Sequence, residues 1–151
     1  DQIGDGTTVY DHPQTAFVAS FVGENNVFSG RVAEVSGETA TVETQAGRFG
    51  ARLSSRVPVT SGDEAIVFVR PESIRFADGA AHENSLTAEL TQQEFEGHFW
   101  HLVLRTDSGD QVRMSVMNDG STGAHEVGSR INIGFSAQSA IVLARGELAA
   151  D

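Results

Sequence analysis

Apolar residues recur along this chain in two different rhythms. Between Thr15 and Gly23, Phe17, Val18, Phe21 and Val22 fall on one helical face, and Gly23 stands where a helix C-cap belongs. Pro13 sits where such a helix can begin, with His12 held extended before it. A helix of about two turns has little stability alone, so residues 1–23 are predicted to be a helical appendage that needs a partner surface. From Asn26 onward the period becomes two. The runs Val27–Val35, Glu38–Thr44, Gly47–Leu53, Glu64–Arg70, Leu86–Phe95, His98–Thr106, Gln111–Val116, Arg130–Phe135 and Ser139–Ala144 read as strands. Glycine-bearing turns separate them, at Gly37, Gly47, Gly62, Gly79, Gly97, Gly109 and Gly120. Pro71 cannot continue a central ladder, so the strand before it is expected to stop there or to reach a sheet edge.

The strand pattern repeats. Residues 62–74 can be laid over 128–140, with apolar positions coinciding at 65 and 131, 67 and 133, 69 and 135, and serine coinciding at 73 and 139. Asn26 with Val27, Phe28 and Val32 parallels Asn84 with Leu86 and Leu90. The two offsets, 66 and 58, differ by 8, which implies a longer connection inside the second copy. The expected fold is therefore all-β, two tandem small OB-like barrels rather than one sandwich, preceded by the short helical segment. The expected division places the first half at 26–76, a linker at 77–84 and the second half at 85–151, the two forming one domain overall.

Composition narrows the chemistry. The chain has 151 residues, enough for one domain or two very small ones, and a formal net charge of −11. All ten basic residues are arginine, and cysteine is absent. Without cysteine there is no disulfide framework, thiol nucleophile or thiolate-ligated zinc, and without lysine there is no P-loop. No apolar run approaches the length of a membrane span, and no signal-peptide pattern opens the sequence. The expected setting is the cytosol. Both halves are acidic, which disfavours binding to phosphate backbones, and no nucleic-acid partner is expected.

The chemically suggestive residues each have a plain structural reading. His98 and His101 are three apart in a run read as strand, where they point to opposite faces and cannot readily share one ion. His82 and His125 lie in loops beside Glu83 and Glu126, without a ligand spacing. Phe99 and Trp100 also face opposite ways, and the inward one is most simply core. No Gly-x-Ser-x-Gly elbow and no paired carboxylates stand out, so neither catalytic nor metal-binding residues are assigned.

One stretch carries a family resemblance. Val67-Phe68-Val69-Arg70-Pro71-Glu72-Ser73-Ile74 resembles the Ile-Arg-Pro-Glu-x-Ile signature of TOBE (transport-associated OB) domains, found C-terminal in the ATP-binding subunits of ABC importers. Gln2-Ile3-Gly4, Tyr10-Asp11-His12-Pro13 and Phe17 to Asn26 look like the passage from a nucleotide-binding domain into that module, and Asn84-x-Leu86 with Phe95-Glu96-Gly97 resembles the start of its second barrel. The closest group is the spermidine/putrescine import ATPases, with iron(III), glycerol-phosphate and sugar importers sharing the pattern. Asp5-Gly6-Thr7-Thr8 departs from the usual Thr-Pro-x-Glu entry to the first helix, and Trp100-His101 stands where a Tyr-containing strand is usual.

The resemblance implies that residues 1–25 are the tail of a missing nucleotide-binding domain, with ATP and magnesium bound there and neither bound here. It implies a regulatory and dimerisation role in a polyamine importer, as a homodimer contacting transmembrane permease subunits through the missing domain, peripheral on the inner face of the cell membrane. The alternative role is sensing a small ligand, an oxyanion, a polyamine or a sugar. Arg70, Pro71, Glu72, Asn26, Gly62 and Asp63 are the family-signature residues, expected to be structural, with Arg70 and Glu72 forming an ion pair around the strand exit at Pro71.

Overall fold

A computed structural model describes residues 25–54, 58–77, 83–118 and 125–145. The helical segment read over residues 1–23 lies outside them. Ten strands and two short 3-10 turns make up the described chain. They are β1 (Asn26–Ser36), β2 (Thr39–Thr44), β3 (Gly47–Leu53), β4 (Glu64–Val69), a first 3-10 turn (Pro71–Ser73), β5 (Arg75–Phe76), β6 (Asn84–Glu96), β7 (Phe99–Thr106), β8 (Gln111–Met117), β9 (Arg130–Phe135), a second 3-10 turn (Ala137–Ser139) and β10 (Ala140–Ala144). The nine runs read from the period-two pattern are β1–β4 and β6–β10, and β5 escaped that reading. Pro71 ends β4 as expected and starts the first 3-10 turn, where its missing N–H is no loss.

β1, β2, β3, β10 and β4 close into a five-stranded barrel, while β5, β9, β6, β7 and β8 form a five-stranded sheet in that order. The repeat seen in sequence is also a repeat in geometry. β1 and β6 each carry a bulge, between Val32 and Glu34 and between Leu90 and Gln92. At each bulge the same backbone pair closes the turn: Gly62 N–H donates to Val32 O and Gly128 N–H to Leu90 O. Gly62 and Gly128 hold φ of 95° and 100°, a region that a side chain would strain.

The halves trade their last strands, which the division at residues 77–84 did not foresee. β10, the end of the second repeat, pairs antiparallel with β4 and parallel with β3 of the first. β5, the end of the first repeat, pairs with β9 of the second. The reason is the 3-10 turn after β4 and after β9, which lifts the chain off one sheet and onto the other. Asn84, counted in the linker, is already the first residue of β6. The eight-residue excess of the second repeat is likewise not one long connection. Gly30 pairs with Thr44, whereas its equivalent Ala88 pairs with Thr106, so four of those residues lengthen the β6–β7 hairpin.

A single core runs through both halves. Phe28 of β1 meets Phe49 of β3 edge-on at 5.1 Å between ring centroids, and Phe49 meets Phe135 of β9 at 5.2 Å. All three rings are fully buried. Inward positions alternate with exposed ones along most strands, but β4 is buried at every position from Ala65 to Val69.

Candidate functional site

Two buried asparagines hold the halves together. Asn84 Nδ2 donates to Gly50 O at 2.9 Å while Gly50 N–H donates to Asn84 Oδ1 at 2.8 Å. Asn26 repeats the arrangement on Arg113 of β8, at 2.8 Å and 2.7 Å. Each side-chain amide thus replaces a missing strand neighbour, satisfying one backbone donor and one acceptor at the edge of the other half's third strand. Asn26 is thus brought to Arg113 of the other half. Gly62 and Asp63 form the neighbouring turn: Thr60 N–H donates to the Asp63 carboxylate at 2.9 Å, and Val32 N–H to Asp63 O at 2.8 Å.

The Arg70–Glu72 ion pair does not form. Both side chains are exposed, Arg70 at the N-cap of the first 3-10 turn and Glu72 within it, and no salt bridge within 4.0 Å joins them. Backbone bonds hold that turn instead, from Ser73 N–H to Arg70 O at 3.0 Å and from Ile74 N–H to Pro71 O at 3.3 Å. Arg70 faces a cleft of about 330 Å³ beside β3, β4 and β10, lined also by Arg52, Ser73, Gln138 and Ser139. Arg52 Nε donates to Gln138 O at 2.9 Å, so its guanidinium is positioned from the second 3-10 turn. Two arginines, two hydroxyls and no carboxylate make this a cationic spot on a strongly acidic chain.

A second cleft of about 320 Å³ lies on the outer face of β6, β7 and β8, where Pro71 of the first 3-10 turn abuts β8. Its polar lining includes Glu94, Glu96, His101, Arg113 and Ser115. Cross-strand register sets His101 opposite Glu94 and Ser115. His101 Nε2 lies 3.3 Å from Glu96, and its Nδ1 lies 3.1 Å from Ser115 Oγ. A Glu–His–Ser row invites comparison with acyl-transfer chemistry, which needs a water-excluded seat and donors aimed at an oxyanion. Here the Glu96 side chain is 81% exposed. The face also offers no backbone donors, because backbone N–H groups in a sheet point along the ladder and not off it. The row is a surface hydrogen-bond chain.

His98 occupies the β6–β7 turn instead of the strand, Trp100 packs against the core, and Phe99 points outward to stack on His101 at 6.4 Å. His125 stacks on Phe76 at 4.6 Å. Among the described residues no group of three or more His, Asp or Glu side chains is placed to hold a metal ion. Sequence reasoning missed Arg52, Ser115 and the carboxylates of the second cleft. Counting alternate positions out from the glycine turns would have put Glu94, Glu96, His101 and Ser115 on one face.

Comparison with known proteins bears on this architecture directly. Residues 67–143, from within β4 into β10, match the model of the TOBE domain. The chain belongs to the TOBE domain family. A spermidine/putrescine import ATP-binding protein of Rubrobacter xylanophilus is 29% identical over 143 residues, covering 94% of this chain and 37% of that protein. An Fe(3+) ions import ATP-binding protein of Rhizobium meliloti is 32% identical over 161 residues, covering 96% of this chain and 38% of that protein. The TOBE chain thus spans less than half the length of these curated relatives. The solved structure of ModG, a cytoplasmic molybdate-binding protein, superposes with a TM-score of 0.65 at 16% identity, over 78% of this chain and 94% of that one. This likeness shows the fold. No helix among the described residues is long and apolar enough to cross a membrane.

Proposed function

We propose that this TOBE domain is the C-terminal regulatory and dimerisation module of the ATP-binding subunit of an ABC importer for polyamines of the spermidine/putrescine class. The observation that carries the reading is the similarity to spermidine/putrescine import ATP-binding proteins over nearly the whole chain. On this reading the parent protein is an ATPase that sits peripherally on the cytoplasmic face of the membrane and contacts permease subunits through its nucleotide-binding domain. The chain has no lysine and so no P-loop, and this reading assigns ATP and magnesium to the nucleotide-binding domain. ATP chemistry belongs to the rest of the parent.

Two ATP-binding subunits must separate and close in turn. A paired C-terminal domain keeps the ATPase halves at an effective concentration in about the mM range while they are apart, with no new contact at the ATP site. Sedimentation equilibrium of this chain tests the pairing. A dimer is expected, and a monomer up to about 100 μM would refute autonomous pairing, given the area a stable interface buries.

The Arg52–Arg70 cleft favours a second reading, sensing of a small anion. Calorimetry with molybdate, sulfate, spermidine, putrescine and sugars separates the two. Heat with an anion that disappears in Arg70→Gln supports sensing, and silence with every ligand supports a scaffold.

A further inference from the structure

The two hairpins that open the two halves follow the same plan up to their tips. After each bulge the first hairpin makes three rungs, ending at Ser36 opposite Thr39. The second makes the equivalent three and then adds two more, Phe95 opposite Trp100 and Glu96 opposite Phe99. Gly37 and Gly97, with φ of 62° and 65°, then turn both hairpins alike. Of the four added residues, three are aromatic. The fold does not require them, because the first half is a closed barrel without them. Phe95 and Phe99 are 53% and 40% exposed, and Met117, paired with Phe99, is 59% exposed. Phe95 stacks on Trp100 on one face of the hairpin, while Phe99 and Met117 occupy the other.

We propose that this aromatic extension of the β6–β7 hairpin, with Met117 of β8 beside it, is the surface through which two copies of the chain pair. The proposal rests on the dimerisation reading and names its interface. Three features select a second copy as the occupant. Exposed apolar surface rimmed by polar groups marks an interaction site, and here it covers both faces of the hairpin tip, the added part of a repeated fold. Its rim also carries both signs. Glu94 and Glu96 stand beside Arg113 on the outer face, and neither Glu94 nor Arg113 has an ion-pair partner among the described residues. A chain of net charge −11 meets its own copy most easily where charges of both signs can cross-pair. The exposed parts of Phe95, Phe99 and Met117 together offer on the order of 300 Å² per copy. Counted over both faces of the tip, two copies supply about half of the ~1,200 Å² total of a small stable interface, and the polar rim supplies the rest.

Trp100 is the only tryptophan, so the unmodified chain reports on its own hairpin. Sedimentation equilibrium and tryptophan emission are followed together from about 1 to 200 μM, a range that brackets ordinary weak dimers. The expected result is a blue shift of Trp100 emission and reduced acrylamide quenching that track dimer mass. Phe95→Ser and Phe99→Ser, at exposed positions, are expected to weaken the dimer roughly tenfold or more each, with unchanged far-UV circular dichroism. Val127→Ser, an exposed apolar residue elsewhere, is expected to leave dimerisation unchanged. A dimer whose Trp100 signal is independent of concentration, or whose affinity survives both substitutions, overturns this surface and leaves the dimerisation reading intact. A chain that stays monomeric overturns both.

Discussion

The two halves share strand order, bulge, turn and asparagine clasp, yet only the first closes into a barrel. The returning strand makes the difference. β10 brings five apolar residues, Ala140 to Ala144, and reaches both β4 and β3. Its counterpart β5 is only two residues long, the charged Arg75 and the apolar Phe76, before the sequence runs into Ala77, Asp78 and Gly79. β5 pairs with β9 only, and among the described residues no strand covers the outer edge of β8. Closure removes edges and with them the opportunity to add a strand, whereas an open sheet keeps its edges at β5 and β8. The added aromatic rungs are on the open half. The duplicated fold has thus closed one copy and left the other with open edges.

The comparison breaks first at the ring that joins the halves. Phe49 is fully buried and touches both Phe28 and Phe135, so Phe49→Ala is expected to cost about 3–5 kcal/mol, the range for removing a buried aromatic ring. Because the core is shared, urea unfolding followed by circular dichroism and by Trp100 fluorescence is expected to give one coincident transition in the parent chain. Separate transitions for the two signals would mean that the halves unfold as independent units.

The clasp is the next test. Asn84→Ala leaves Gly50 N–H and O without partners in a part-buried setting, and Asn26→Ala does the same to Arg113. Each is expected to cost about 2–4 kcal/mol, from two hydrogen bonds lost and two groups left desolvated. Equal losses in urea titrations would show that the symmetry of geometry is also one of energy. A much smaller loss for Asn26→Ala would show that water reaches the open edge of β8 and replaces the amide.

These two asparagines also mark how far the sequence could be read. They fall at equivalent places in the repeat, offset by 58, so their shared importance was visible while their partners were not. The nine longer strands were legible because apolar residues alternate and glycines punctuate them. β5 was illegible because two residues, one of them charged, make no period. Strand exchange was illegible for a different reason. The apolar pattern says which face of a strand is buried and nothing about which sheet receives it, and that choice is made by the 3-10 turns. The Arg52–Arg70 cleft depends on the same choice, since Arg52 meets Gln138 only because the second 3-10 turn crosses to β3. The Arg70–Glu72 pair failed because proximity in sequence across a 3-10 turn does not bring side chains together.

Closure itself can be tested at one backbone position. Gly30 and Ala88 are equivalent, each opposite a threonine in its hairpin. A Cβ on Gly30 would collide with the carbonyl oxygen of Glu43, with the carbonyl carbon only 2.8 Å away. Both positions are paired on two sides, Gly30 with β2 and β4 and Ala88 with β7 and β9, so the close approach at Gly30 is a difference in strand spacing between the closed and the open half. In the open half the same place holds Ala88, buried without exposure. Gly30→Ala is expected to destabilise by about 1–3 kcal/mol through overpacking. Ala88→Gly is expected to cost about 0.5–1 kcal/mol, mainly from the added freedom of the unfolded chain. A neutral Gly30→Ala, measured by urea unfolding, would show that β1 can relax without opening the barrel.

The smallest effect concerns a charge reversal between the halves. On equivalent rungs, Arg31 stands opposite Glu64 in the barrel and Glu89 opposite Arg130 in the open sheet. Arg130 turns instead to Asp107, donating to both carboxylate oxygens at 2.8 Å and 3.0 Å. Those hydrogen bonds, and then the guanidinium charge, hold the Asp107 carboxyl below its ordinary value of 3.8. A folded-state value below the unfolded one means that the unfolded chain binds more protons around that pH, so the pair favours folding above pH 3.8 and loses its contribution as the pH falls from there through the folded value. Asp107 is fully exposed, and solvent and salt screen the pair, so the contribution is small. Asp107→Asn is expected to lower the urea midpoint slightly at neutral pH, with the difference from the parent chain shrinking below pH 3.8 and in high salt. A difference that persisted unchanged into acid would assign the effect to the Asp107 turn and not to its charge.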